Sequence, residues 1–205
     1  PPLSHPVNDL TVMTPLGLVF VILLSSMMLT GMSVIFDKEQ GASFRVSISP
    51  ATKIKWLFGK VLGQLLFALG QVIIIILVGA IFFGVSVQGN IIELVLALSV
   101  VSLSFITMGL FITNFTKTQS TTILASLLMI VPMIFLSGII FPYEFMPASV
   151  SFFGKLLPLT QGIELVSTVL VRGLPLVSMS LGFFYLLVLS GIFFATAAIN
   201  PDYLK

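Results

Sequence analysis

Five uninterrupted apolar runs, residues 13–36, 57–85, 91–113, 121–141 and 176–199, constrain this chain more than any other feature. Each is long enough to cross a bilayer as a helix, which takes about 20 residues. The runs are unbroken rather than alternating, which argues against a membrane β-barrel. Only 8% of the 205 residues are charged and 58% are hydrophobic, whereas about 25% of a soluble domain is charged. So few charges cannot clothe a water-exposed surface. A soluble enzyme, a disordered chain and a nucleic-acid binder are thereby excluded, and lipid is the solvent for most of the molecule. The expected fold is all-α, a single polytopic transmembrane helical bundle over residues 1–205.

Local signals refine the spans. Thr14 is placed to cap the first, with Pro15 at the first helical position, where its missing N–H costs nothing. Pro132 is expected to kink the fourth. Residues 142–175 differ from the spans: they hold four prolines, Pro142, Pro147, Pro158 and Pro175. Two pieces there, 149–157 and 159–171, are too short or too polar to span, and segments of this kind lie in the interface or re-enter the membrane. The chain opens on Pro1-Pro2, without an initiator Met or the basic region of a signal peptide. We therefore expect it to lack an N-terminal part.

Charge sets the orientation. Lys38, Arg45, Lys53, Lys55, Lys60, Lys117 and Lys205 fall on one side, against Lys155 and Arg172 on the other. Basic residues concentrate in cytoplasmic loops. This places 37–56 in the cytoplasm, 142–175 outside, the N-terminus outside and the C-terminus inside, as an odd number of spans requires.

Little in the chain looks catalytic. There is no cysteine, and the one histidine, His5, reads as a solvated loop residue. No Ser/His/Asp set, HExxH or carboxylate pair within a span occurs. Gly59-Lys60 lacks the rest of a phosphate loop: Ile54 stands where a glycine is needed, and Val61 where Ser or Thr is needed. Glu93, Glu144, Glu164 and Arg172 sit near the outer boundary, which gives an ion relay no mid-membrane charge. Gln64 and Gln71, seven apart on one helix face, either line a polar route or bond a neighbouring helix, with packing favoured. Gly59/Gly63 and Ala80/Gly84 are pairs of small residues that let helices approach closely. The basic segment 37–56 is either a plain connecting loop or a surface element, punctuated by Gly41 and Pro50.

Two groups of residues resemble the landmarks of one family. The first is Lys38-Glu39-Gln40-Gly41, then Ser49-Pro50, then Gly59-Lys60. The second runs Leu136-Ser137-Gly138-Ile139-Ile140-Phe141-Pro142, Met146-Pro147, Leu157-Pro158-Leu159-Thr160 and Arg172-Gly173. In this order, and on opposite sides of the expected membrane, they resemble the membrane (permease) subunit of type-2 ABC exporters, the multidrug, antibiotic and polysaccharide efflux family. The likeness extends from about Thr14 to Ile199. It departs from the family at Lys38, often Arg there, and at Ala42, often Thr. The family also usually has six spans, one of them preceding these five, with an extracellular domain after it in many long members.

The resemblance implies a mechanism. Residues 37–56 would hold a coupling helix that docks on a separate ATPase, with Lys38, Glu39, Gly41, Arg45, Ser49, Pro50 and Lys60 as its contacts. Residues 142–175 would be outer re-entrant helices, with Ser137, Gly138, Phe141, Pro142, Pro147 and Pro158 forming a gate. The partners implied are two copies of an ABC ATPase, which hold ATP and Mg, a second permease copy or paralogue, and the bilayer of a cell membrane. This chain itself would bind no cofactor or metal and would be a transport subunit rather than an enzyme. Rival readings are a non-transporting auxiliary subunit, a lipid-modifying enzyme and a secondary transporter. The substrate is not legible: lipids, drugs and hydrophobic peptides suit an apolar pathway, yet polysaccharide exporters share the framework.

Overall fold

The computed structural model describes residues 9–41, 53–83, 88–138, 140–141 and 143–199. Among them are seven α-helices: α1 Asp9–Glu39, α2 Lys53–Phe83, α3 Ile91–Ile112, α4 Gln119–Leu136, α5 Ala148–Leu156, α6 Pro158–Leu170 and α7 Ser180–Ile199. Single 3-10 turns at Tyr143–Phe145 and Leu176–Met179 precede α5 and α7. Five helices, α1 to α4 and α7 with its leading turn, are long and apolar enough to cross a membrane. The fold is thus an all-α polytopic bundle.

Helix starts follow ordinary capping. Asn90 accepts a bond from Ile92 N at 2.9 Å and starts α3. Thr118 and Thr121 bond reciprocally and start α4. Pro158 occupies the first turn of α6, where proline is preorganised.

Three sequence expectations fail at helix ends. Helix α1 begins at Asp9, so Pro15 lies inside it and Thr14 does not cap it. Proline inside a transmembrane helix is tolerated because neighbouring helices re-satisfy the freed backbone. Helix α4 ends at Leu136, five residues short of the expected 141. Gly138 adopts φ +82°, a left-handed conformation that ends helices, so Phe141 lies beyond the span. Helix α2 starts four residues earlier than expected and takes in Lys53 and Lys55.

Helix α3 is the axis of the bundle. It packs most extensively on α7 and α1, then on α2 and α6, and most of its residues are buried. Around it gathers the main core, with Leu18, Ile22, Met27, Leu98, Phe105 and Leu186. A second cluster, Val34, Leu57, Val61, Ile106, Leu110 and Ala197, closes the end of the bundle where Lys38 and Lys60 lie, hereafter the basic end. Helices α2, α4 and α7 keep long apolar faces open. In lipid such faces carry no penalty, because acyl chains are as apolar as leucine.

Helix α6 returns into the bundle. A Cβ on Gly162 would touch Val101 of α3 and Val19 of α1. At its other end, Gln88 N donates to Leu170 O at 3.1 Å, level with the start of α3. Val101 is halfway along α3, so α6 rises from mid-depth to the rim. Its Leu159, Leu165, Val166 and Val169 are buried.

The candidate coupling end and the re-entrant cap

At the basic end three consecutive residues of α1 each hold a different partner. Asp37 pairs with Lys60 of α2 at 2.7 Å. Lys60 also donates to Ser33 Oγ at 2.8 Å, tying α2 back to α1. Lys38 Nζ donates to the carbonyl of Thr113, the C-cap of α3, at 3.5 Å. Glu39 reaches α4: its Oε2 accepts from Gln119 Nε2 at 2.6 Å and its Oε1 from Gln119 N at 3.2 Å. A carboxylate at a helix N-terminus satisfies an orphan N–H and the helix dipole together. Gly41, at φ +69°, then turns the chain out of α1. It sits where an αL glycine customarily ends a helix.

Of the residues assigned to coupling, Lys38, Glu39, Gly41 and Lys60 therefore gather at one end of the bundle. Arg45, Ser49 and Pro50 lie outside the described residues, as do His5, Gly84 and Pro142. Gln119 and Asp37 emerge as contributors that sequence reasoning did not single out. The Thr118–Thr121 capping pattern was the available signal for Gln119, since it puts that residue's N–H at a helix start.

The two glutamines part company. Gln71 accepts from Ser25 Oγ at 2.8 Å and so bonds a neighbouring helix, α1. It also stands on the wall of an apolar groove of about 790 Å³ between α1 and α2, lined by Gly17, Val21, Phe67, Gly70 and Ile74. The buried Nε2 of Gln64 has no hydrogen-bond partner among the described residues. Gly59 and Gly63 bring no helices together among the described residues, where a Cβ at either would meet nothing within 4 Å. The close approaches are elsewhere: a Cβ on Gly109 would lie 2.5 Å from Met27 O, and one on Gly31 would lie 2.7 Å from Thr122 Cγ2.

At the opposite end the re-entrant cap is pinned by one tyrosine. The Tyr143 ring lies over Gly138, where a Cβ would come within 2.5 Å of it. Its hydroxyl is 3.2 Å from Thr160 Oγ1, and Thr160 donates onward to Gly154 O at 2.7 Å. Lys155 Nζ sits 5.6 Å from the ring centre. Burial pushes the Tyr143 phenol above its ordinary pKa; the Thr160 hydrogen bond pulls it down and the Glu164 charge pushes it up. Gly154 fits because its missing side chain leaves room for the carbonyl of Leu136. Ser137 caps α4, its Oγ donating to Ile134 O at 2.7 Å. Pro147 precedes α5 and Pro158 starts α6. Phe141 stacks on Phe135 at 6.1 Å. Glu93, at the start of α3, accepts from Leu176 N at 2.7 Å and fixes the turn into α7. Tyr143 and Gly154 belong to the same cap and were not among the expected gate residues.

Five bilayer-length helices, four of them gathered around α3, with a short helix pair folded back at one end, define a polytopic integral membrane protein. Its family follows from comparison: the chain belongs to the ABC-2 type transporter family, whose profile matches residues 3–171. It is 28% identical over 121 residues to a probable multidrug ABC transporter permease, YbhR, of Escherichia coli K12, covering 59% of this chain and 33% of that protein. It is also 28% identical over 178 residues to ABC transporter G family member 20 of Dictyostelium discoideum, covering 84% of this chain and 24% of that protein. The chain thus spans about a third or less of these curated relatives. No solved structure matches it significantly.

Proposed function

We propose that this chain forms the substrate pathway of an ATP-driven exporter in a cell membrane and takes its energy from a separate ABC ATPase. ATP and Mg would be held by two copies of that ATPase, and a second permease, identical or paralogous, would complete the pathway. Residues 37–56 are the docking element, and the cap built on Tyr143, α5 and α6 closes the outer end. The observation that carries this reading is the basic end. There Asp37-Lys38-Glu39 stands just before the chain leaves α1 at Gly41, in contact with α2, α3 and α4 in turn. A docking element joined at that point reaches four of the five spans directly.

The test is site-specific photo-cross-linking from position 45 in the full-length protein, expressed in its native membrane. An adduct with a nucleotide-binding ATPase is expected, lost on charge reversal at Lys53. Adducts with lipid alone, or labelling of position 45 from the outer side, would refute it.

A further inference from the structure

Successive residues of an α-helix point about 100° apart, so three in a row fan over more than half a turn. The last three residues of α1 use that fan to hold three different helices. Asp37 takes Lys60 of α2, Lys38 takes the C-cap carbonyl of α3, and Glu39 takes the first residue of α4. Two residues further on, Gly41 begins the exit toward residues 42–52. On the α1 side, displacement of that segment is therefore delivered through one tripeptide; its other end enters α2 directly at Lys53.

We infer that Asp37-Lys38-Glu39 is a clasp that distributes movement of the docking segment, and that Gln119 is the positioning residue through which α4 receives it. This rests on the coupling role proposed above. Both carboxylate oxygens of Glu39 accept from Gln119, so the residue acts on the start of α4. Helix α4 is the element the clasp must move. It runs from Gln119 to the Ser137-Gly138 turn beneath the Tyr143 cap, and so joins the basic end to the outer closure. The bond is also replaceable in reverse. A glutamine at 39 keeps an acceptor for the N–H of residue 119 and gains a donor for a glutamate side chain there. Glu39→Gln with Gln119→Glu thus restores both contacts with the polarity exchanged.

The experiment uses the full-length protein with its ATPase in proteoliposomes. Spin labels go at L128C of α4 and V188C of α7, both lipid-exposed positions in a chain without cysteine of its own. The inter-label distance is read with and without trapping by Mg-ATP and vanadate, beside thermal stability. The parent should shift on trapping. Gln119→Glu, which faces two carboxylates at each other, should lose the shift while melting within a degree or two of the parent, and the double exchange should recover it. A normal shift in Gln119→Glu overturns the clasp, and so does a double exchange that fails to recover. Melting that falls in step with the shift assigns the pair to folding alone and equally overturns it. Arg45→Glu separates the two levels. If it abolishes the shift while Gln119→Glu does not, docking stands and the clasp falls. If the parent itself does not shift, or Arg45→Glu leaves the shift intact, the coupling role falls and the clasp with it.

Discussion

Gly109→Ala should weaken the bundle where α1 and α3 cross. A Cβ built there lies 2.5 Å from the backbone oxygen of Met27, whereas ordinary contacts begin at 3.4 Å. Backbone cannot rotate aside, so the two helices must part by the difference, about 0.9 Å. Overpacking of this kind costs about 1–3 kcal/mol. Alanine returns about 0.8–1 kcal/mol of helix propensity over glycine, which leaves a net loss of about 1 kcal/mol. Gly63→Ala is the matched control. Its Cβ meets nothing within 4 Å, so only the propensity gain of about 0.8–1 kcal/mol remains. The two variants should therefore differ by about 2 kcal/mol, in opposite directions from the parent. Equilibrium unfolding in mixed micelles under increasing dodecyl sulfate reads both, through the fluorescence of Trp56, which packs on the basic-end core. A Gly109→Ala protein as stable as the parent, or a larger loss in Gly63→Ala, would refute the packing argument.

Two further outcomes follow from the cap and the charge pattern. The Tyr143 phenol has its pKa raised by burial, so its contribution is full below the unfolded value of about 10 and is lost as pH rises through the higher folded value; an ultraviolet difference titration against Tyr143→Phe should show it ionising later than a free phenol, and ionisation at or below that value would contradict the cap. Single cysteines at Arg45 and Lys117 should react with a membrane-impermeant reagent only from the cytoplasmic side, and those at Lys155 and Arg172 only from outside, with the reverse pattern overturning the orientation.

The spans were legible because lipid removes ambiguity: a run of 20 apolar residues has few other stable fates. Their ends were less so. Thr14-Pro15 is a good helix start in isolation, yet α1 continues upstream to Asp9, and a proline inside a span is tolerated in membrane helices. The end of α4 depended on one left-handed glycine, Gly138, over which the Tyr143 ring lies. Gly59 and Gly63 carried the small-residue spacing but face open space, whereas the contacts fall on Gly31 and Gly109. In the candidate site, Lys38, Glu39 and Lys60 were visible as a charged cluster at a span boundary. Their partners Ser33, Thr113 and Gln119 were not, because which helix each side chain meets depends on rotation within the bundle, and an all-apolar helix has no polar face to report it.

The proposed role makes this chain the substrate-pathway half of a two-part transporter. The direct measurement is vanadate-sensitive ATP hydrolysis in bilayer vesicles, made on the full-length protein alone, on its ATPase alone and on the two together. The membrane protein by itself should show no turnover above background, and the complex should hydrolyse ATP at a rate several-fold different from that of the ATPase alone. Hydrolysis by the isolated membrane protein, or an ATPase indifferent to its presence, would contradict the account.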